Sequence, residues 1–312
     1  MNMKKLVILA FALFALVSCA EKSYVIVQIA DSQLGFDAAV KAQEPGAEYV
    51  NDLTYEVEYL RKAVAKINEI GPDAVIFTGD QVHLSGDAEQ WDTFEDIIAG
   101  IDQPVCRFHV PGNHDIIVGE GKIDVTPFSE RFGEDRFVSR NDGVNIVGIN
   151  TSLIKYNDPA EEEQKEWLCS VLGEGKASDV TLIFGHHPFF GEDIEEEDGY
   201  FQVQKAKRHD YFDMFVEMGV DAVFAGHLHD SRAAEYKGIP MLTTTSAAYQ
   251  LGDSKPSVRV ITVKETSALI MSSETSFRCA SSLRRTGSSR YFAPYFLQQG
   301  SGGDRRSGRQ TI

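Results

Sequence analysis

The chain has 312 residues, 43% hydrophobic and 25% charged, the composition of a globular protein with a sizeable core in one large or two small α/β domains. Its formal net charge of -17 excludes the basic footprint of a nucleic-acid binder. An acidic protein that handles an anionic substrate needs concentrated positive charge in its site, most simply metal ions.

The first 23 residues carry Lys4 and Lys5, an apolar run from Leu6 to Val17 and a small-residue exit. The run is too short to span a bilayer and reads as a secretory signal. Its end, "LVSC", resembles a bacterial lipobox, in which Cys19 becomes the lipidated first residue of the mature chain. The alternative is an ordinary signal peptide with an incidental cysteine. The expectation is an exported lipoprotein on the periplasmic or cell-surface side, with residues 1–19 as signal and a membrane anchor at Cys19. Cys106, Cys169 and Cys279 remain, an odd number that implies no disulfide framework. Cys106 lies in an apolar stretch and Cys169 on a helical pattern, so both are expected to be buried small hydrophobes.

Strands are expected at 24–30, 74–79, 105–110, 144–150, 180–185, 221–225, 239–245 and 257–264. Between the first two, "YEVEYLRKAVAKINEI" places Val57, Leu60, Val64 and Ile67 on one helical face, closed by Gly71-Pro72. "QWDTFEDIIAGI", "AEEEQKEWLCSVL" and "HDYFDMFVEMG" are further amphipathic helices. Strands alternating with helices predict an α/β domain over residues 20–270. From Ser273 to Ile312 the chain has seven Arg and no Lys, and residues 271–312 read as a disordered Arg/Ser/Gly-rich tail.

Five apolar runs end in chemically active side chains. "YVIVQIADSQLGF" stops at Asp31 with Gln33 behind it. "AVIFTGDQVH" stops at Asp80, and "FHVPGNHD" at Asn113, His114 and Asp115. "LIFGHHP" and "AVFAGHLHD" add histidines. A carboxylate closing a buried strand is costly unless a turn exposes it or a cation waits there. Carboxyl ends of strands line the ligand crevice of open α/β sheets, so these residues would meet in space. Carboxylate, amide oxygen and imidazole suit borderline and hard divalent metals, and there are enough for two ions if one carboxylate bridges. Gly79, Gly112 and Gly226 stand where the backbone must turn sharply behind the ligands.

The ordered set "ADSQ", "GDQVH", "GNHD", "GHHP" and "GHLH" resembles the calcineurin-like metallophosphoesterase superfamily, over roughly residues 24 to 265. That family's pattern is D-x-H, G-D-x-x, G-N-H-[DE], H-x-P and G-H-x-H. The resemblance implies a four-layer αββα sandwich, two mixed sheets flanked by helices. It implies hydrolysis of phosphate esters by a hydroxide bridging two divalent ions (Mn, Fe, Zn or Mg). Asp31, Gln33, Asp80 and His229 would hold the first ion. Asp80 would bridge to the second, completed by Asn113, His186 and His227. His114 would stabilise the transition state and protonate the leaving alkoxide, with Asp115 orienting it.

Gln33 stands where most of the family has His. A branch of serine/threonine phosphatases also reads D-P-Q there, and "GDQVH" and "INTSLIKYND" are similar to that branch. Phosphomonoester hydrolysis is therefore favoured over a phosphodiesterase acting on nucleotides or lipid head groups. A surface binding lipoprotein that lost the chemistry should lack Asp80, Asn113 or His114, and all three are present. His187 is expected to pack or support, His83 either to cap a loop or to support the site, and His109 and His209 to be ordinary surface or core histidines. Asn150 could touch the site or cap a helix. "GEDIEEEDGY" is expected to be a solvated loop, with a lid as the alternative.

Overall fold

The computed structural model describes residues 23–277 apart from 103, 120, 142, 177–178 and 265–268. The signal segment with Cys19, Cys279 and the tail from 278 onward lie outside the described residues.

Two sheets carry the domain. The first has strand order β13-β12-β1-β2-β3, built from β1 (Ser23–Ile29), β2 (Ala74–Thr78), β3 (Cys106–Val110), β12 (Ser257–Lys264) and β13 (Leu269–Ser276). In it β1, β2 and β3 run parallel, while β12 and β13 are antiparallel additions. The second sheet has the order β10-β11-β9-β8-β7-β6. Its parallel centre is β7 (Val144–Gly148), β8 (Val180–Phe184), β9 (Ala222–Ala225) and β11 (Ile239–Thr243). Antiparallel edges are supplied by β6 (Phe137–Asn141) and β10 (Arg232–Tyr236). A small ribbon pairs β4 (Ile117–Val118) with β5 (Ile123–Asp124).

Because successive strand side chains point to opposite faces, each central strand feeds two cores. Ile26, Ala74, Ile76, Ile146, Leu182, Phe224 and Ile261 pack between the sheets. Their neighbours Val27, Val75 and Phe77 turn outward against helices α2 (Thr54–Ile70) and α3 (Ala88–Ile98), where Leu60, Ile67, Trp91 and Phe94 meet them. On the other outer face Val147, Ile183 and Val223 meet Leu168 of α6 (Glu161–Gly173) and Phe212 and Phe215 of α7 (Lys205–Glu217). Three short helices, α1 (Phe36–Lys41), α4 (Thr126–Phe132) and α5 (Thr151–Lys155), complete the described helices. The result is a four-layer αββα sandwich, and burial on both faces explains why β2, β7 and β8 are buried at every position and mostly apolar.

Two expectations are corrected. Cys106 is exposed, because it opens an edge strand; Cys169 is half-buried, its Sγ 3.3 Å from Met214 Sδ. The domain does not end at 270. The β12–β13 ladder runs to Ser276, and Glu274 pairs with Arg259 at 2.6 Å. Among the described residues no helix is long and apolar enough to cross a membrane.

Candidate metal centre

The strand ends converge at one edge of the sandwich, and the backbone there departs from ordinary geometry. Seven described non-glycine residues have positive φ, and five of them are Asp31, Gln33, Asp80, His227 and His229. Each such residue costs on the order of 1 kcal/mol or more, and Asp, Asn and His tolerate the conformation best among polar residues. Gly79, at φ +85°, makes the turn before Asp80. A Cβ on Gly112 would stand 2.1 Å from Asp80 Oδ1, so the loop after β3 approaches closer than any side chain permits. Backbone bonds lock the loops together: Asp31 N donates to Gly79 O at 3.2 Å and Gln33 N to Asp80 O at 2.8 Å. Ser246 Oγ donates to Asp31 O at 2.6 Å.

Three histidines are aimed by the same device. His186 Nδ1 lies 2.9 Å from Thr78 O, His114 Nδ1 2.9 Å from His83 O, and His229 Nδ1 against Tyr249 O. Opposite a carbonyl Nδ1 must be the donor, which leaves each Nε2 facing the centre. His229 Nε2 is 3.5 Å from Asp31 Oδ1. His186 Nε2 is 3.3 Å from Asp80 Oδ2, 3.2 Å from Asn113 Oδ1 and 3.0 Å from His227 Nδ1. Donor atoms of Asp31, Asp80 and His186, and of His186, His187 and His227, lie within 4.8 Å of one another in each set.

The electrostatics are those of a site short of positive charge. Burial pushes Asp31 well above the usual carboxylate range despite His186, with Asp80 adding to the rise. Burial also acts on Asp80, but His186 and His114 outweigh it and hold Asp80 low. His186, against its burial, is raised to about 9 by Asp80 and Asp31. Gln33 Oε1 and His227 Nε2 are buried with no hydrogen-bond partner among the described residues. Such orphaned donors beside buried carboxylates are expensive unless a cation takes them up. The residues present therefore fit divalent metal.

The sequence model of the calcineurin-like phosphoesterases matches residues 25–231. The chain belongs to the calcineurin-like phosphoesterase family. As a member it is a phosphoric ester hydrolase that uses divalent metal. The serine/threonine-protein phosphatase CPPED1 of Mus musculus is 28% identical over 251 residues, covering 77% of this chain and 80% of its own. A probable cyclic nucleotide phosphodiesterase of Rhodococcus erythropolis is 30% identical over 203 residues, covering 61% of this chain and 63% of its own. The purple acid phosphatase PPD1 of yellow lupin superposes with a TM-score of 0.59 at 14% identity, over 80% of this chain and 53% of its own. A dimetal phosphatase of Danio rerio gives 0.52 at 15% identity, over 80% and 98% respectively. At those identities the superpositions show the fold alone.

Within this calcineurin-like site the structure brings together Asp31, Asp80, Asn113, His186, His227 and His229, and seats Gln33 beside them through its bond to Asp80. His114 joins them, half-buried, its backbone N–H on Asp80 Oδ1 at 2.9 Å. Asp115 has a different part from the expected one. Its carboxylate accepts the N–H groups of Gln81 at 2.8 Å, Val82 at 3.2 Å and Gly112 at 2.8 Å, so it pins two loops, and the His83 carbonyl orients His114. Burial, then Asp80, raises Asp115 to about 8. Asn150 caps α5, accepting from Ser152 N at 3.0 Å. Its neighbour Thr151 Oγ1 accepts the N–H of both His186 and His187, at 3.0 and 2.7 Å. His109 is half-buried, its ring stacked between Phe77 and Phe132 with centroids 4.5 and 4.0 Å away. Ser246 was missed, although the hydroxyl run "TTTS" closing an apolar strand is the same signal that revealed the ligands.

Proposed function

We propose that the protein is a dinuclear phosphomonoesterase. The observation that carries this reading is the pair of orphaned buried donors, Gln33 Oε1 and His227 Nε2, beside the carboxylates of Asp31 and Asp80. Asp31, Gln33, Asp80 and His229 would hold one ion, and Asp80, Asn113, His186 and His227 the other. Divalent cations there supply charge neutralisation for the phosphoryl oxygens and make a water acidic enough to react near neutral pH.

The chain's own part is positioning and proton transfer. The His83 carbonyl takes Nδ1–H of His114, which leaves Nε2 as the nitrogen that would act on substrate. A proton at that Nε2 passes to the leaving oxygen. Asp115 keeps the loops bearing Asp80 and His114 in register through its three N–H partners. Ser246 holds the turn of Asp31 in the same way.

The phosphatase relatives support the monoester preference, and the 30% identity to a probable cyclic nucleotide phosphodiesterase motivates the diester alternative. Metal analysis of the purified protein, followed by assay of matched mono- and diesters, decides between them. Two ions per chain with faster monoester turnover is expected. One ion, or faster diester turnover, overturns the corresponding part.

We further propose, from "LVSC" alone, that the protein lies outside the cytoplasm, anchored by lipid on Cys19. One acyl chain anchors only weakly, so several are expected. Mass spectrometry of the native N-terminus tests this: an acylated Cys19 is expected, and an unmodified terminus downstream of it rules the anchor out. Removal of residues 278–312 is expected to leave activity and thermal stability intact, and a lower midpoint would refute the dispensable tail.

A further inference from the structure

The acidic segment Gly191–Gln204 is tied down from several directions. The Glu196 carboxylate accepts the N–H groups of Gly191 and Glu192, both at 2.9 Å, and of Asp193 at 3.3 Å. The buried Arg208 donates to the carbonyls of Val203 at 2.9 Å, Ile194 at 3.2 Å and Glu196 at 2.5 Å. Lys155, at the end of α5, donates to Gly199 O at 2.8 Å and to Gln202 O. The loop is solvated as expected, with Glu192, Asp193, Glu195 and Glu197–Tyr200 exposed, but its backbone is held as a rim.

This rim presents two rings to the centre. Tyr200 and Phe201 each lie 5.5 Å from the His227 ring, and they meet one another edge-on at 5.0 Å. Tyr200 is 45% exposed. Around the other GHLH histidine, Phe36 lies 5.4 Å from His229 and meets Tyr249 edge-on at 5.0 Å. The ligand cluster is thus flanked by aromatic side chains at both histidines.

We infer that Tyr200 determines specificity at this site and that the organic part of the substrate is a planar aromatic ring lying against it. The inference rests on the phosphomonoesterase reading above. A stacked ring is held by its area and quadrupole, with no need for a charge that the acidic rim would repel. Anchoring by Lys155 and Arg208 removes the ordering cost that a loose loop would impose on binding. Lys155 is accordingly a positioning residue. An aryl phosphate, with its ring on the ester oxygen, and a nucleoside 5′-monophosphate, with its ring one sugar away, share this chemistry.

The test compares phenyl phosphate, a nucleoside 5′-monophosphate and glycerol phosphate on the metal-loaded full chain. Tyr200→Ala is expected to raise KM roughly tenfold for whichever ring-bearing substrate fits, leaving kcat and the glycerol phosphate KM unchanged. Tyr200→Phe should restore the wild-type KM. Lys155→Met should reproduce the KM defect with metal content intact and open residues 191–204 to proteolysis. Calorimetry with phenylphosphonate against methylphosphonate reads the ring preference without turnover. A ring preference there in a protein that hydrolyses no monoester would fault the phosphomonoesterase reading and support this one. Equal changes for all three substrates, or no preference between the phosphonates in wild type, overturns the role of Tyr200.

Discussion

The space between the two sheets and the edge where their strands end obey opposite rules, although the same strands build both. In β1, Ile26 is sealed among Ile76, Leu182, Phe224 and Ile261, and a few residues later the chain reaches Asp31. The interior is close-packed hydrocarbon, where each side chain contributes through area removed from water. The edge gathers buried carboxylates, imidazoles with orphaned nitrogens and left-handed backbone at Asp31, Gln33, Asp80, His227 and His229. None of these features stabilises a metal-free chain. Local rules are broken together where function pays, and the break itself marks the site.

The largest expected effect comes from His114→Ala, which should lower kcat by about 10²–10⁴-fold with metal content and melting temperature unchanged. A variant that has also lost its metal would show that His114 belongs to the binding cluster. Leu182→Ala, in the interior, should do the reverse. Denaturant titration should find it destabilised by about 2–5 kcal/mol, while the folded fraction keeps wild-type turnover. A turnover defect per folded molecule would mean that the interior and the edge are mechanically coupled.

His109 shows what a titratable ring packed between aromatic side chains does away from the edge. Burial, then Arg107, lowers it from its usual 6.5 to about 3. Between those values the unfolded chain binds the extra proton, so its contribution to stability is complete above pH 6.5 and is lost on acidification. The slope is about 1.4 kcal/mol per pH unit through that window. His109→Phe should flatten it, as read from unfolding free energies at stepped pH, and an unchanged slope would assign the acid lability elsewhere.

Asp31→Asn separates stability from chemistry at one position. The metal-free variant should gain about 1–2 kcal/mol, because a neutral amide replaces a carboxylate that burial and Asp80 disfavour, while one ion per chain is lost. Loss of stability in the chelated variant would instead show that the bonds from His227 N to Asp31, at 2.9 and 3.1 Å, outweigh the charge. The smallest effect is expected for Gln33→His. Imidazole is the softer ligand, so zinc should be favoured over Mn²⁺ roughly tenfold more than in wild type. If neither this change nor Gln33→Ala alters metal content or affinity, Gln33 is a bystander.

The same contrast explains what could be read from the sequence. All eight expected strands are present, since burial makes most of them a visible apolar run or alternation; β3 is the exception, an edge strand whose Cys106 and Arg107 are exposed. The edge strands β6, β10 and β13 escaped because "FVSRN", "RAAEY" and "LIMSSETS" mix faces and give no such signal. Ligand types announced themselves as polar groups closing apolar strands, and Asp31, Asp80, Asn113, His186, His227 and His229 meet as the pattern implied. What aims them was hidden: the partners of His186, His114 and His229 are the carbonyls of Thr78, His83 and Tyr249, and a carbonyl leaves no mark on residue identity. Asp115 was misassigned for a related reason, because adjacency to His114 in sequence says nothing about three backbone partners across the loop.

The register of the first sheet has a kinetic consequence. Ser23 pairs with Lys264 and Gln28 with Arg259, so β1 cannot acquire its antiparallel neighbour until nearly the whole domain has been synthesised. Closing so long a loop makes this pairing late and slow relative to the parallel β1–β2 contact. His229 follows β9 in the second sheet, so Asp31, just beyond β1, can meet it only after most of the domain has been made. An N-terminal fragment emerging from the ribosome therefore has an unpaired, apolar β1 edge and an incomplete ligand set. The partly made chain is the species most exposed to aggregation.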